Sequence, residues 1–453
     1  MNSYTFVGEV LFMLMKILRR GLLQVLGLVL AAFPSIAFAE AAVPASKLDT
    51  GDTAWILVST ALVMLMTPGL ALFYAGMVRR KNVLGTLMHS FIAIALISVH
   101  WILVGYSLSF GPDVKGIIGD LSWAGLQGVG LAPNPDYAPT VPHLAFMIYQ
   151  MMFAVITPAL ISGAFAERMK FSAYLVFALA WTTVVYDPVA HWVWGTGGWM
   201  KQLGVLDFAG GIVVHATSGF SALAAALYIG RRKGFLHEHM PPHDLPLTVL
   251  GAGLLWFGWF GFNAGSALAS GELATMAFVT THSAAVSATL TWTFLEWAHR
   301  GKPTMFGAAT GAIAGLATIT PAAGFVSPMA ALLIGVAAAL LCYTALNAKT
   351  KLGYDDSLDA FGVHGVGGTL GTIMAGVFAS IAINAAGANG LLFGNPGQLA
   401  VQAGAVLLVA VYSFIVTMAL FKVLDLLMGV RVTRDEETEG LDISQHGESG
   451  YTT

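Results

Sequence analysis

The feature that most constrains this chain is its run pattern: long apolar stretches follow one another with charged residues confined to the gaps. Eleven such stretches can be marked, near residues 53–78, 83–110, 143–166, 171–188, 207–230, 245–264, 272–298, 304–320, 326–346, 359–382 and 399–428. About 17 residues or more of apolar helix cross a hydrocarbon core of about 30 Å, and no solvent-exposed backbone is tolerated there. Asp, Glu, Lys and Arg make up 10% of 453 residues, against about 25% in soluble domains. There are too few charges to coat a soluble body of this size, so a soluble enzyme, a disordered chain and a fibrous protein are excluded. A formal net charge of -3 spread over many gaps gives no reason to expect a nucleic-acid partner. The expected fold is an all-α polytopic membrane protein of eleven transmembrane helices.

Charge placement orients it. Arg79, Arg80, Lys81, Arg168, Lys170, Arg231, Arg232, Lys233, Arg300, Lys302, Lys349, Lys351, Lys422, Arg431 and Arg434 fall at one set of alternating ends, whereas the other set holds Lys47, Lys115 and Lys201. The positive-inside rule then puts the N-terminus out and the C-terminus in. Lys16, Arg19 and Arg20, the apolar stretch 22–33 and Ala37-Phe38-Ala39 have the form of a cleavable signal peptide, with an uncleaved extra span as the alternative. The expected divisions are a signal peptide over 1–39, the membrane domain over 40–430 and a polar acidic tail over 431–453. Eleven spans divide as a 5+5 inverted repeat plus one long C-terminal helix.

No Lys, Arg, Asp or Glu is expected near the middle of a span; Glu167, Asp187 and Glu296 fall at ends. That argues against a carboxylate proton relay and against a retinal-type lysine. The interior histidines are expected to be His89, His100, His215, His282 and His364, and each alone is best read as a hydrogen-bonded core residue. His215 and His364 stand apart, because each follows an Asp in a Gly-rich stretch of a fifth span: Asp207-Phe-Ala-Gly-Gly-Ile-Val-Val-His215 and Asp359-Ala-Phe-Gly-Val-His364. Rings in contact would share a proton and titrate together. Neither the lone Cys342 nor His237, His239 and His243 suggests a metal site, and no nucleophile motif or phosphate loop indicates an enzyme. No cofactor is expected. Aromatic residues gather where spans end: Trp194 after the fourth, Phe262 and Ser266 at the sixth, and Tyr149 with Phe153 one turn apart in the third. Aromatic faces and a hydroxyl suit a cation that is losing water.

Together, Asp207-Phe-Ala-Gly-Gly-x-x-x-His215, Gly258-Trp-Phe-Gly-Phe-Asn-Ala-Gly-Ser266, Ala166-Glu-Arg168 and Phe361-Gly-Val-His-Gly365 resemble the signature blocks of the ammonium transporter family, from about Thr53 to the C-terminus. The resemblance implies a homotrimer in the bacterial inner membrane, each subunit having its own narrow pore. It implies an outer ammonium site at Trp194, Phe153 and Ser266 with Tyr149 beside it, a phenyl gate of Phe153 and Phe262, a conducting pair His215 and His364, and Asp207 as the structural acid of the outer site. The tail segment Glu439-Gly-Leu-Asp442 through Glu448 resembles one that regulates conduction and docks a PII-type signalling protein. Two departures stand out: Tyr149 where Phe is common, and Ala360 where a larger aliphatic occurs. Ammonium would be recruited, deprotonated and passed as ammonia, with or without a relayed proton, an option closed to potassium. Methylammonium would serve as an analogue. The alternatives are an ammonium sensor that signals through its tail and a channel for another small neutral solute such as carbon dioxide.

Overall fold

The computed structural model describes residues 48–451, so the signal-peptide expectation lies outside the described residues. The described chain is a helical bundle. Its apolar runs fold as α1 (Thr50–Met77), α2 (Val83–His100, continued through Trp101–Gly105 to Tyr106–Phe110), α3 (His143–Phe165) and α4 (Phe171–Trp181, Thr182–Tyr186, Asp187–Trp194). Next come α5 (Gly211–Ala216 and Thr217–Ile229), α6 (Leu245–Ala264), α7 (Glu272–Arg300) and α8 (Met305–Ile319). The last are α9 (Pro328–Leu352), α10 (Phe361–Gly365 and Val366–Phe378) and α11 (Pro396–Met428). Among the described residues ten of these are long and apolar enough to cross a membrane, and α8, at 15 residues, is shorter.

Local chemistry fixes the starts. Asp49, Asp244, Thr304 and Ser327 each accept a backbone N–H of the first turn of α1, α6, α8 and α9, supplying partners to donors that a helix leaves unmatched. Large rings such as Trp101, Trp181 and Trp259 are fully buried between the helices, and glycines let backbones approach closely beside them: a Cβ on Gly251 of α6 would stand 2.2 Å from Phe73 N of α1.

One end departs from expectation in a way that matters. The fourth span does not stop near residue 188: a π-helical turn at Thr182–Tyr186 leads into Asp187–Trp194, with Pro188 in its first turn, where a proline's missing N–H costs nothing. Asp187 is therefore fully buried within α4 and not at an end. Its Oδ2 lies 3.0 Å from His100 Nε2, and its Oδ1 accepts from Ser109 Oγ at 3.2 Å. His282 is also corrected: it faces outward on α7, its ring beside Trp256, and is not an interior histidine.

At one face the loop of 111–142 folds over the bundle with two small antiparallel hairpins, β1 (Asp113–Val114) with β2 (Ile118–Gly119) and β3 (Pro133–Asn134) with β4 (Ala138–Pro142). At the other face Arg79, Glu167, Arg232 and Asp355 tie four inter-helix turns together; Arg79 meets Glu167 at 2.7 Å and Arg232 meets Asp355 at 2.9 Å. Arg168, fully buried, donates to the carbonyls of Ala164, Gly230 and Asp355. Burial pushes its pKa down to about 10, so it keeps its charge at any physiological pH. Across this face lies the tail, α12 (Arg434–Glu439) and α13 (Leu441–His446).

Candidate functional site

His215 and His364 sit on matching local structures. Each belongs to a π-helical turn, Gly211–Ala216 in α5 and Phe361–Gly365 in α10. Such turns widen the helix and re-aim side chains, and they recur at functional sites. Each turn is preceded by a carboxylate. Asp207 Oδ1 accepts from Gly210 N (2.9 Å) and Gly211 N (2.6 Å), and its Oδ2 from Ile212 N (2.8 Å) and Val213 N (3.1 Å). Asp356 accepts from Ala360 N (3.1 Å) and Phe361 N (2.8 Å). The counterpart of Asp207 is thus Asp356, eight residues before its histidine as Asp207 is before His215. Asp359, which the Gly-rich pattern suggested, instead pairs with Lys349. The sequence carried this signal in the equal spacing.

The two turns meet because neither helix has a side chain at the crossing. A Cβ on Gly219 would stand 2.1 Å from Gly365 N, and one on Gly368 would stand 2.8 Å from the Cβ of His215. Both glycines lie four residues after a histidine. The imidazoles are then brought near-parallel, ring centroids 5.2 Å apart and planes 15° apart, with Nδ1 to Nδ1 at 3.2 Å. One Nδ1 must donate and the other accept. For two neutral rings that leaves one Nε2 as a donor and the other as an acceptor. Among the described residues His215 Nε2 has no hydrogen-bond partner.

Around the pair the walls are apolar: Leu70, Ile156, Leu160, Leu255, Trp259 and Ile313 line a cavity with both histidines. Its volume open to a water-sized particle is about 10 Å³, near the least room that one water needs. Trp259 flanks His215 at 5.5 Å and is anchored by its indole N–H to Thr320 Oγ1 at 3.0 Å.

Phe262 also lines that cavity, and its ring lies 4.2 Å from that of Phe153, both 1% exposed. Beyond the phenyl pair Trp194 stands edge-on to Phe153 at 6.0 Å, its indole N–H held by the Asp207 carbonyl at 2.9 Å. Tyr149 packs on Phe153 at 5.1 Å; its hydroxyl lies 2.9 Å from the Gly261 carbonyl and 3.2 Å from Ser266 Oγ. The departure at Tyr149 thus has a structural use, tying α3 to the end of α6. Trp194 and Ser266 open onto a vestibule of about 170 Å³ beneath the loop of 111–142. The site residues marked in the sequence follow one another from vestibule to lumen: Trp194, Ser266 and Asp207 line the vestibule, Phe153 and Phe262 stack beyond it with Tyr149 packed beside Phe153, and His215 and His364 line the cavity that Phe262 also borders. Tyr137, Asp136, Gln150 and Lys201 also line the vestibule; sequence reasoning passed over them because the helices that flank it are far apart along the chain.

A multi-pass helical bundle with a closed aromatic mouth and a narrow, apolar, histidine-lined lumen defines a membrane transport protein for a very small solute. Residues 54–451 match the model of the Ammonium Transporter Family. The chain is 52% identical to the ammonium transporter of Bacillus subtilis (strain 168), with 89% of this chain and 99% of that one aligned, and 50% identical to ammonium transporter Amt1 of Archaeoglobus fulgidus, with 89% and 100% aligned. Its fold is similar to that of Saccharomyces cerevisiae Mep2 (TM-score 0.81, 36% identity, covering 86% of this chain and 89% of that one) and of a sensor Amt protein (TM-score 0.80, 30% identity, 87% and 98%). The chain belongs to the Ammonium Transporter Family and is an ammonium transporter of the membrane.

Proposed function

We propose that ammonium is recruited at the aromatic vestibule by Trp194, Phe153, Ser266 and Tyr149, gives up its proton at the gate of Phe153 and Phe262, either to the water of the vestibule or to the imidazole pair as a relay, and crosses the dry lumen as ammonia along His215 and His364. The observation that carries this reading is the Nδ1 contact of the two imidazoles within an apolar space of about one water's size. An unpaired ion in such a space would lose its hydration without replacement, a cost of many kcal/mol. A neutral molecule with both donors and a lone pair meets instead an Nε2 acceptor and an Nε2 donor. Potassium has no proton to shed, so chemistry and not radius separates the two. Asp207 serves this design as a structural acid, holding the turn of His215 and, through its carbonyl, the indole of Trp194.

The same reading takes the chain as eleven spans, α8 included, in two inverted halves plus α11, with the outer loop outside and the tail inside. The paired histidine, aspartate and glycine spacings and the distribution of Lys and Arg support that arrangement. It also takes the transporter as a homotrimer whose tail face receives a PII-type signalling protein.

Methylammonium or ammonium uptake into proteoliposomes tests conduction: flux above that of empty vesicles is expected, and a wild type no better than empty vesicles ends the reading. The double variant H215A/H364A should lose at least about tenfold in flux, or begin to pass potassium, and a double variant that matches wild type in both respects rejects the role of the pair. A sensor is the second reading, favoured by the likeness to a sensor Amt protein and by the tail docked on the bundle. It would bind ammonium without carrying flux.

A further inference from the structure

Several groups on the vestibule wall suit a visiting cation: the face of Trp194, the Ser266 hydroxyl, the Gln150 amide and the Asp136 carboxylate. Lys201 does not. It stands on the short helix Trp199–Gln202, lines the same vestibule, and points its Nζ inward to the carbonyl of Trp194 at 3.1 Å and to the ring of Tyr137 at 5.7 Å from the centroid. Asp136 attracts it through space across the vestibule, but among the described residues no carboxylate closes an ion pair on it. A neutral N–H donor could also satisfy the Trp194 carbonyl, so the bond can be kept while the charge is removed. From this geometry we infer that Lys201 is a valence filter: a tethered ammonium group that holds down occupancy of the mouth by monovalent cations a little and by divalent cations much more.

The physical basis is Coulomb repulsion, which doubles with the visitor's charge. At a separation of several ångströms in a wet vestibule one unit of like charge lowers a monovalent ion's occupancy about threefold and a divalent ion's about tenfold. Divalent cations hold their water too firmly to enter the lumen but would otherwise be drawn to the aromatic faces and to Asp136, and would plug the mouth. Lys201 acts on substrate binding without touching the step at the gate or the histidines. This inference rests on the vestibule being the recruiting site.

Full-length protein in proteoliposomes provides the test, with external calcium as the divalent probe. The K201Q variant keeps an N–H donor for the Trp194 carbonyl and removes the charge; K201R keeps the charge. In K201Q the half-saturating ammonium concentration should fall about threefold at low ionic strength with maximal flux unchanged, and the difference should shrink at high salt, where the screening length falls to a few ångströms. Calcium should inhibit K201Q and spare both wild type and K201R. If K201Q matches wild type in affinity and calcium response, or if K201R behaves as K201Q does, the inference is overturned while recruitment at the vestibule stands. A wild type without flux removes both.

Discussion

Asp207 and Asp356 show how far one carboxylate can organise a site through the backbone. Four backbone N–H groups converge on Asp207 and two on Asp356, at helix starts whose dipoles favour negative charge. Replacing Asp207 by Asn keeps one oxygen and turns an amide donor toward the N–H groups of Ile212 and Val213. Hydrogen bonds to a charged acceptor are worth about 1.5–3 kcal/mol, and a buried donor left unmatched adds its own cost. D207N should therefore lower the unfolding temperature of the detergent-purified protein by several degrees. D356N should lower it less, since fewer donors converge there. Thermal unfolding followed by light scattering or intrinsic fluorescence ranks the two; a D207N protein as stable as wild type would show that the turn of His215 does not depend on this cap.

Between the two caps, the meeting of α5 and α10 depends on absent side chains. G219A would force a methyl group against the Gly365 backbone, and G368A against His215, so both should separate the imidazoles, cut flux sharply and destabilise the protein, by about 1–3 kcal/mol as overpacking does. G253A, on α6 where nothing lies within 4 Å, is the matched control and should be neutral or slightly stabilising, because alanine favours helix over glycine. If G219A and G253A carry flux equally, the close crossing is not what aligns the pair. The same elements show what could be read from the chain. Helices were legible because apolar runs of membrane length have one structural solution, and the matching Asp-led, Gly-rich stretches singled out His215 and His364. The π-helical turns were not legible, since they differ from α-helix by one hydrogen-bond step and by no residue type. That is why Pro188 looked like the end of the fourth span and Asp187 like a terminal charge. The partner of Asp207 was legible but passed over: Asp356 and Asp359 both precede His364, and the eight-residue spacing shared with Asp207 and His215 singles out Asp356, as its bonds to Ala360 N and Phe361 N bear out. His282 was misplaced because periodicity gives a helix its faces but not which of them meets the bundle.

At the scale of the whole molecule the tail is part of the folded body. Leu441 N donates to Asn82 Oδ1 at 2.8 Å, Gly85 N donates to Asp442 Oδ1 at 2.9 Å, and Lys233 N donates to Glu437 Oε1 at 2.6 Å. The strand leading into it bridges Met169 and Arg431, beside the buried Arg168 that holds the ends of α5 and α10. The tail is thus joined through Arg431 and Met169 to the residue that ties the C-terminal end of α5 to the turn before α10. Its titratable point is His446, whose ring packs edge-on to Phe171 at 4.9 Å. Burial holds its pKa below the ordinary 6.5, with His89 from α2 nearby; Asp442 and Glu448 pull the other way. The docked tail thus binds fewer protons than the free tail at this site. Docking is at full strength above about pH 6.5 and weakens as pH falls from there through the lower docked value. A spin label on S449C, Cys342 being buried, should become more mobile between about pH 7.5 and pH 5.5 in the wild-type background. With His446→Gln the same label should keep its mobility across that range. A label equally mobile at both pH values in the wild-type background would mean that the contacts of Leu441, Asp442 and Glu437 outweigh the imidazole, and that acidification does not reach the pore through the tail.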